Sequence, residues 1–333
     1  MTSCATAADL QQPASSSTRE ALADGVRSGL LHRPRFLSPW MLYDAYGSRL
    51  FERITQLPEY YPTRTERAIL ADSAGAIIAA TRAGKPQFLR LLELGAGTAS
   101  KTGLVLDAIV GLQGEVLYIP VDVSPDALDI ARDTIEAALP EVRVVPIVTN
   151  YVTHPAQLDR FVGTTLAICI GSSIGNFSPE VARTILRHLR DQLRAGDALL
   201  LGTDLVKDES PLLAAYDDSD GVTAAFNLNL LHRLNRELDA DFDPASFRHR
   251  VRWNRAESRI EMHLESMRDQ RVRIPAADLD LHFAASETIH TENSYKFAPE
   301  TIRMLFSEAG FEVEHTWTDA RRWYAVTLAR VAL

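Results

Sequence analysis

The chain has 333 residues, of which 46% are hydrophobic, and a formal charge of −9 at neutral pH. That is enough apolar material for one large core or two ordinary ones, and the acidic balance, with no basic run long enough to follow a phosphate backbone, argues against a nucleic-acid surface. Two cysteines, Cys4 and Cys169, give neither a disulfide framework nor a zinc spacing, and no apolar run reaches the ~20 residues of a membrane span, so the sequence predicts a globular, cytosolic protein; a monomer without a bound metal is the accompanying expectation.

Residues 1–18 read as a tail, because they lack the apolar core of a signal peptide. An amphipathic helix is predicted from Glu20 to Leu31, and the prolines of HRPRFLSPW then break regular structure. Trp40, Met41, Tyr43, Tyr46, Phe51, Tyr60 and Tyr61 crowd the region ending in LPEYYPTRTE. Such a density of rings can line a pocket or fill the core of a small helical subdomain. Arg64 to Ala83 reads as one helix leading into FLRLLELGAGTASKT, Phe88 to Thr102.

Leu89, Leu91, Leu92 and Leu94 fit a strand buried on both faces of a parallel sheet. Gly95 and Gly97 let the backbone turn tightly and approach a ligand. Glu93, one residue before the turn, suits a cationic ligand better than a phosphate. A crossover helix is predicted from Ala99 to Val110, then a strand, EVLYIPVDVS, with an irregularity at Pro120 and its end at Asp122. Asp122 lies 27 positions beyond Gly95 (122 − 95), where a nucleotide-binding sheet holds ribose hydroxyls. Ser124 is the N-cap of the next helix, with Pro125 at its first position. The third strand, VRVVPIVTN, ends at Asn150 and Tyr151, an amide and a ring able to reach an adenine. The fourth opens into GSSIGNF, where Asn176 is hard to explain by packing unless it serves a left-handed turn. A helix from Pro179 to Arg194 and the strand ALLLGTDLV complete five strands alternating with helices, a doubly wound sheet.

From Lys207 to about Tyr295 the alternation breaks. Helices are predicted at Ser210–Tyr216 and Val222–Leu238, then antiparallel strands such as FRHRVRWN and RIEMHLES, which together make an inserted domain. A crossover helix resumes at Pro299–Ala309, and two strands on a short connection close the sheet, the last one antiparallel. His232, His249, His263, His282 and His290 show no metal-ligand spacing.

The glycine turn, the acid ending the second strand and the closing hairpin resemble class I S-adenosylmethionine-dependent methyltransferases. A nicotinamide enzyme would carry G-x-G-x-x-G, whereas this turn runs Gly95-Ala96-Gly97-Thr98-Ala99-Ser100. SPWMLYDAYGSRLFERITQLPEYYPTRTE, GSSIGNF, the block from LLAAYDD to DADFD and IHTENSYKF are similar to the histidine Nα-methyltransferase family of ergothioneine biosynthesis, which makes trimethylhistidine. The resemblance implies an α/β, Rossmann-like class I methyltransferase sheet with a closing antiparallel strand (66–206 and 296–333). It also implies an inserted α+β substrate-binding domain, discontinuous over 19–65 and 207–295. Carried over by position, Tyr60, Asn176 and Tyr216 hold the amino acid's amine and carboxylate, Glu292 and Ser294 grip the imidazole, and Met262 lines its pocket. Tyr43, Gly95, Lys101, Asp122, Asn150 and Tyr151 hold S-adenosylmethionine; Asn150-Tyr151 stands where the family commonly has Asp-Phe. Tyr60 and Asn176 would act in catalysis by positioning, with no strong general base in view. Another aromatic amino acid such as tryptophan, or ligand binding without catalysis, stays open as the alternative.

Overall fold

The computed structural model describes residues 18–82, 87–97, 99, 101–152, 156–158 and 162–332. Nearly all of the expected tail, with Cys4, and Thr98 and Ser100 of the glycine turn lie outside the described residues. The chain divides into two compact units: the residues up to Tyr61 with Lys207–Tyr295, and Pro62–Val206 with Lys296–Leu333.

Helix α1 (Thr18–Leu31) begins two residues before the expected Glu20. Helix α2 (Ala45–Gln56) starts at Asp44, whose side chain accepts a hydrogen bond from Gly47 N at 2.7 Å, a cap that satisfies one of the helix's orphan donors. Helix α3 (Tyr61–Arg82) leads into strand β1 (Leu89–Leu94), all six of whose residues are buried. The crossover helix α4 runs over Gly103–Gln113, later than the expected start at Ala99. The reason is local: Ala99 has φ +54, a left-handed conformation that cannot continue an α-helix, and Thr102 N bonds back to Ala99 O at 3.1 Å.

Strand β2 (Val116–Asp122) pairs with β1 in unbroken parallel register through Glu93 and Pro120. The irregularity expected at Pro120 falls instead on its other neighbour, which is split into β3 (Val142–Val144) and β4 (Ile147–Val148) around Pro146. Between β2 and β3, helix α5 (Pro125–Ala138) is capped by Ser124, which accepts from Ala127 N. Strand β5 (Thr164–Cys169), helix α6 (Pro179–Gln192) and strand β6 (Ala198–Asp204) follow, both strands buried throughout.

The insertion then opens with α7 (Glu209–Tyr216) and α8 (Val222–Leu238). Strands β7 (Phe247–Asn254), β8 (Arg259–Ser266) and β11 (Thr288–Tyr295) form an antiparallel sheet in the order β11-β8-β7, while β9 (Gln270–Ile274) and β10 (Leu279–Phe283) pair separately. In the same unit Asp44 of the α2 cap accepts from Asn229 (2.8 Å) and Arg236 (2.6 Å) of α8.

The chain re-enters the first sheet beside the point where it left. Phe297 N donates to Asp204 O at 2.9 Å and Val206 N to Phe297 O at 3.0 Å. Lys296 and Asp204, exposed by 0% and 1%, pair at 2.8 Å. After α9 (Pro299–Glu308), β12 (Phe311–Thr318) and β13 (Tyr324–Val331) complete an eight-stranded sheet ordered β12-β13-β6-β5-β1-β2-β3, with β4 beside β2. As expected, β13 is antiparallel to β6. The core on this sheet joins Leu89 and Leu91 of β1 to Ile69, Leu70, Ile77 and Ile78 of α3 and Val105, Leu106 and Ile109 of α4.

Candidate active site

In the sheet unit the predicted cofactor residues Gly95, Lys101, Asp122, Asn150 and Tyr151 follow the carboxyl ends of β1, β2 and β4, where open α/β sheets bind ligands. Gly95 N and Ala96 N both donate to Val121 O, at 2.8 and 3.2 Å, which folds the turn back over β2. Gly95 has φ +68, and a Cβ built there would come within 3.0 Å of the Tyr151 hydroxyl. The residue must therefore be glycine both for its backbone and for the ring lying over it. Asp122 accepts from Gly97 N through Oδ2 and from Ser124 N through Oδ1, each at 3.0 Å. A carboxylate has about four lone-pair positions, so Asp122 can brace the turn and still accept from a diol. Asn150 Oδ1 accepts from Val152 N at 3.1 Å. Burial, reinforced by Cys169 and Asp122, pushes the Tyr151 phenol well above its ordinary range, so it stays protonated.

Lys101 pairs with Glu66, a residue that sequence reasoning did not single out. Glu66 is fully buried and also accepts from Gly171 N, at 2.8 Å to each oxygen, and from the Tyr324 hydroxyl at 2.7 Å. It thus ties the loops after β1 and β5 to β13. Gly202 makes room for it, since a Cβ there would lie 2.0 Å from Glu66 Oε1. Its only signal in the sequence was membership of YYPTRTE. Glu93 is a correction in the other direction. It does not stand at the mouth of the sheet but is 2% exposed, accepting from Tyr118 and from Thr102 at the start of α4 (2.7 and 2.9 Å). Burial raises its pKa to about 7, and its oxygens are taken by the hydroxyls of Tyr118 and Thr102 rather than turned to the mouth of the sheet.

In the loop after β5 the left-handed residues are Gly171 (φ +81) and Ser172 (φ +55), and Ser172 Oγ accepts from Asp204 N at 3.0 Å. Asn176, half-buried, closes the 3-10 turn Ser173–Asn176 with no such backbone demand on it. A diol acceptor and a ring beside the glycine turn fit a nucleoside, and the Lys101 ammonium, held by Glu66, has further N–H donors for a carboxylate tail.

Of the predicted substrate residues, Met262, Glu292 and Ser294 share one sheet face in the other unit, to which Tyr60 and Tyr216 also belong, whereas Asn176 belongs to the sheet unit. Glu292 is opposite Met262 and Ser294 opposite Ile260 in the β11–β8 register, and residues two apart on a strand share a face. A bulge between His290 and Glu292 sets this register, and Thr291 Oγ1 donates across it to Met262 O at 3.1 Å. The Tyr216 and Ser294 hydroxyls are 2.7 Å apart. The Tyr60 ring meets Tyr216 edge-on at 6.0 Å and Phe51 at 6.3 Å, and Tyr43 meets Phe51 at 5.6 Å and Phe226 at 5.5 Å. Tyr60, Tyr216, Met262, Glu292 and Ser294 are all buried, whereas Tyr43 is 38% exposed; it belongs to this unit, and the other predicted cofactor residues belong to the sheet unit. Phe226, in the apolar stripe of α8, is a packing partner of Tyr43 and Phe51 that sequence reasoning did not single out. The rings of His263 and His290 stack at 4.8 Å, and burial together with His263 lowers the His290 pKa to about 4. Among the described residues no cluster of His, Cys, Asp and Glu could hold a metal ion, and no helix is long and apolar enough to cross a membrane.

A family model described as histidine-specific, S-adenosylmethionine-dependent methyltransferase matches residues 22–331. A histidine N-alpha-methyltransferase of Mycolicibacterium smegmatis is 45% identical over 316 residues, covering 95% of this chain and 97% of its own. One from Mycobacterium tuberculosis is 42% identical over 93% of this chain and 94% of its own. Ergothioneine biosynthesis protein 1 of Neurospora crassa is 28% identical over 89% of this chain and 33% of its own. The family model matches 310 residues (331 − 22 + 1) and the two mycobacterial relatives exceed two fifths identity along nearly their full length, so the chain belongs to the histidine-specific, S-adenosylmethionine-dependent methyltransferases.

Proposed function

We propose that the protein methylates the α-amine of free L-histidine, successively to trimethylhistidine, in ergothioneine biosynthesis, acting as a cytosolic monomer. Glu292 accepts from one imidazole nitrogen, Ser294 serves the other, and Met262 packs against the ring. Tyr60, Asn176 and Tyr216 hold the amine and carboxylate. Tyr43, Gly95, Lys101, Asp122, Asn150 and Tyr151 hold S-adenosylmethionine, which supplies a methyl group on a cationic sulfur. The observation that carries this reading is the shared face of β8 and β11, where a buried carboxylate and a buried hydroxyl stand two residues apart beside Met262, with the Tyr216 hydroxyl 2.7 Å from Ser294. An acceptor beside a group that both donates and accepts matches an imidazole better than an indole, which has one N–H and no ring acceptor.

The amine is mostly protonated in water, so the protein must favour its neutral form, aim the lone pair and let a proton leave after each of the first two transfers. Orientation is worth several powers of ten in rate for such a displacement. Tyr60 relays the proton through water, its phenol too weak a base to take it outright. Aromatic faces at Tyr60 and Phe51 favour the positive charge that builds up with methylation. The test is time-resolved mass spectrometry of purified protein with S-adenosylmethionine and a panel of free amino acids. Mono-, di- and trimethylhistidine are expected in sequence. Product from tryptophan alone, or binding of both ligands with no product, would overturn the proposal.

A further inference from the structure

Helix α7 ends at Tyr216, and the last carbonyls of a helix have no partner within it. Tyr216 O lies 2.9 Å from His249 Nε2 on β7. A carbonyl only accepts, so Nε2 carries the proton. The other ring nitrogen, Nδ1, lies 2.9 Å from Asn227 Nδ2 on α8, and that same amide nitrogen donates to His263 O at 3.1 Å. With a carbonyl on one side of it, the Asn227 amide must turn its NH2 group to both neighbours; reversed, it would set oxygen against oxygen. Nδ1 is therefore an acceptor and the imidazole is neutral. The cost of this arrangement is visible, because Asn227 Oδ1 is buried with no hydrogen-bond partner among the described residues. Burial likewise holds the His249 pKa below its ordinary value.

In register His249 is opposite Leu264, two residues from Met262 along β8, so it shares the face that carries Met262, Glu292 and Ser294. We infer that neutral His249, oriented by Asn227, is a positioning residue: it holds the carbonyl end of α7 and thereby the Tyr216 phenol against Ser294. The inference rests on the reading of Tyr216 as a substrate contact. It adds a residue from a third strand to the determinants of amino-acid binding.

The experiment combines steady-state kinetics in both substrates with 15N–1H correlation NMR of the imidazole. His249→Ala should raise the KM for histidine about ten-fold, the worth of one well-made buried hydrogen bond, with the KM for S-adenosylmethionine changed less than about two-fold. His249→Gln should recover most of the loss, because its amide offers one donor and one acceptor at about the spacing of the ring nitrogens. Tyr216→Phe/His249→Ala should be no worse than Tyr216→Phe alone. NMR of the unmodified protein at pH 7 should show a proton on Nε2 and a lone pair on Nδ1, a readout that survives even if His249→Ala does not fold. An Nδ1-protonated or cationic ring, or unchanged histidine KM in His249→Ala while Tyr216→Phe is impaired, overturns this inference and leaves the site reading intact. Unchanged kinetics in Tyr216→Phe would overturn both.

Discussion

Glu292 retains 8% of its surface in the open and faces the same side of its sheet as Ser294, beside Met262. If it accepts from the substrate ring, Glu292→Ala should raise the KM for histidine by about ten-fold or more, since a hydrogen bond to a charged group contributes roughly 1.5–3 kcal/mol. The KM for S-adenosylmethionine should stay near its starting value; calorimetric titration of histidine giving unchanged affinity would rule the assignment out. Glu292 was assigned through its place in the matched motif TENSYKF. Glu66 also stands in a matched motif, YYPTRTE, but nothing local singled it out. A glutamate in a helical stretch ordinarily meets solvent, and its partners Lys101, Gly171 and Tyr324 are 35, 105 and 258 residues away. Only the closed sheet brings them to one carboxylate. Glu93 misled for the same reason: its position next to the turn was legible, but the hydroxyls of Thr102 and Tyr118 that enclose it were not.

At the scale of elements, most helices and strands followed from pattern, since apolar periodicity and serine or proline at helix starts are local signals. Helix α8 was read at its observed bounds, Val222–Leu238, and α5 began at the predicted Ser124 cap. What pattern could not give was a change of phase inside an element. Strict alternation along β11 would group Ile289 with Thr291 and Asn293, whereas the bulge after His290 groups it with Glu292 and Ser294. The start of α4 was lost to a single left-handed alanine, Ala99, a conformation its side chain does not announce. The root of the insertion supplies a test at this scale. Lys296 and Asp204 are buried side by side where the chain leaves and rejoins the large sheet. Removing one partner leaves an uncompensated interior charge, so Lys296→Ala should lower stability by about 3–5 kcal/mol in denaturant melts. A loss below about 1 kcal/mol would mean that the charge finds another partner or water.

For the whole chain, two buried titrating groups pull in opposite directions. His290, with its pKa lowered to about 4 from the ordinary 6.5, resists protonation in the fold, so its contribution is lost as pH falls from 6.5 toward 4. Glu93, raised to about 7 from the ordinary 4.5, resists ionisation, so its contribution is lost as pH rises from 4.5 toward 7. Each gap corresponds to about 3 kcal/mol at roughly 1.4 kcal/mol per pH unit. Between pH 4.5 and 6.5 the two slopes cancel. Glu93→Gln should therefore unmask a stability that climbs with pH across that window, and His290→Gln one that declines. Chemical melts at half-unit intervals would show it, and parallel profiles for both variants and the parent chain would refute it.

Strand β13 lies inside the large sheet, between β6 and β12, yet Tyr324 and its partner Asp204 are 120 residues apart (324 − 204). The insertion is synthesised in between. On a ribosome adding roughly 5–20 residues per second, β6 waits on the order of ten seconds with one row of backbone groups open, while the strands of the insertion are made with open rows of their own. Vectorial synthesis thus gives this topology a period in which the wrong strands could pair, and the chain's dependence on chaperones or on slow translation after β6 should be greatest there.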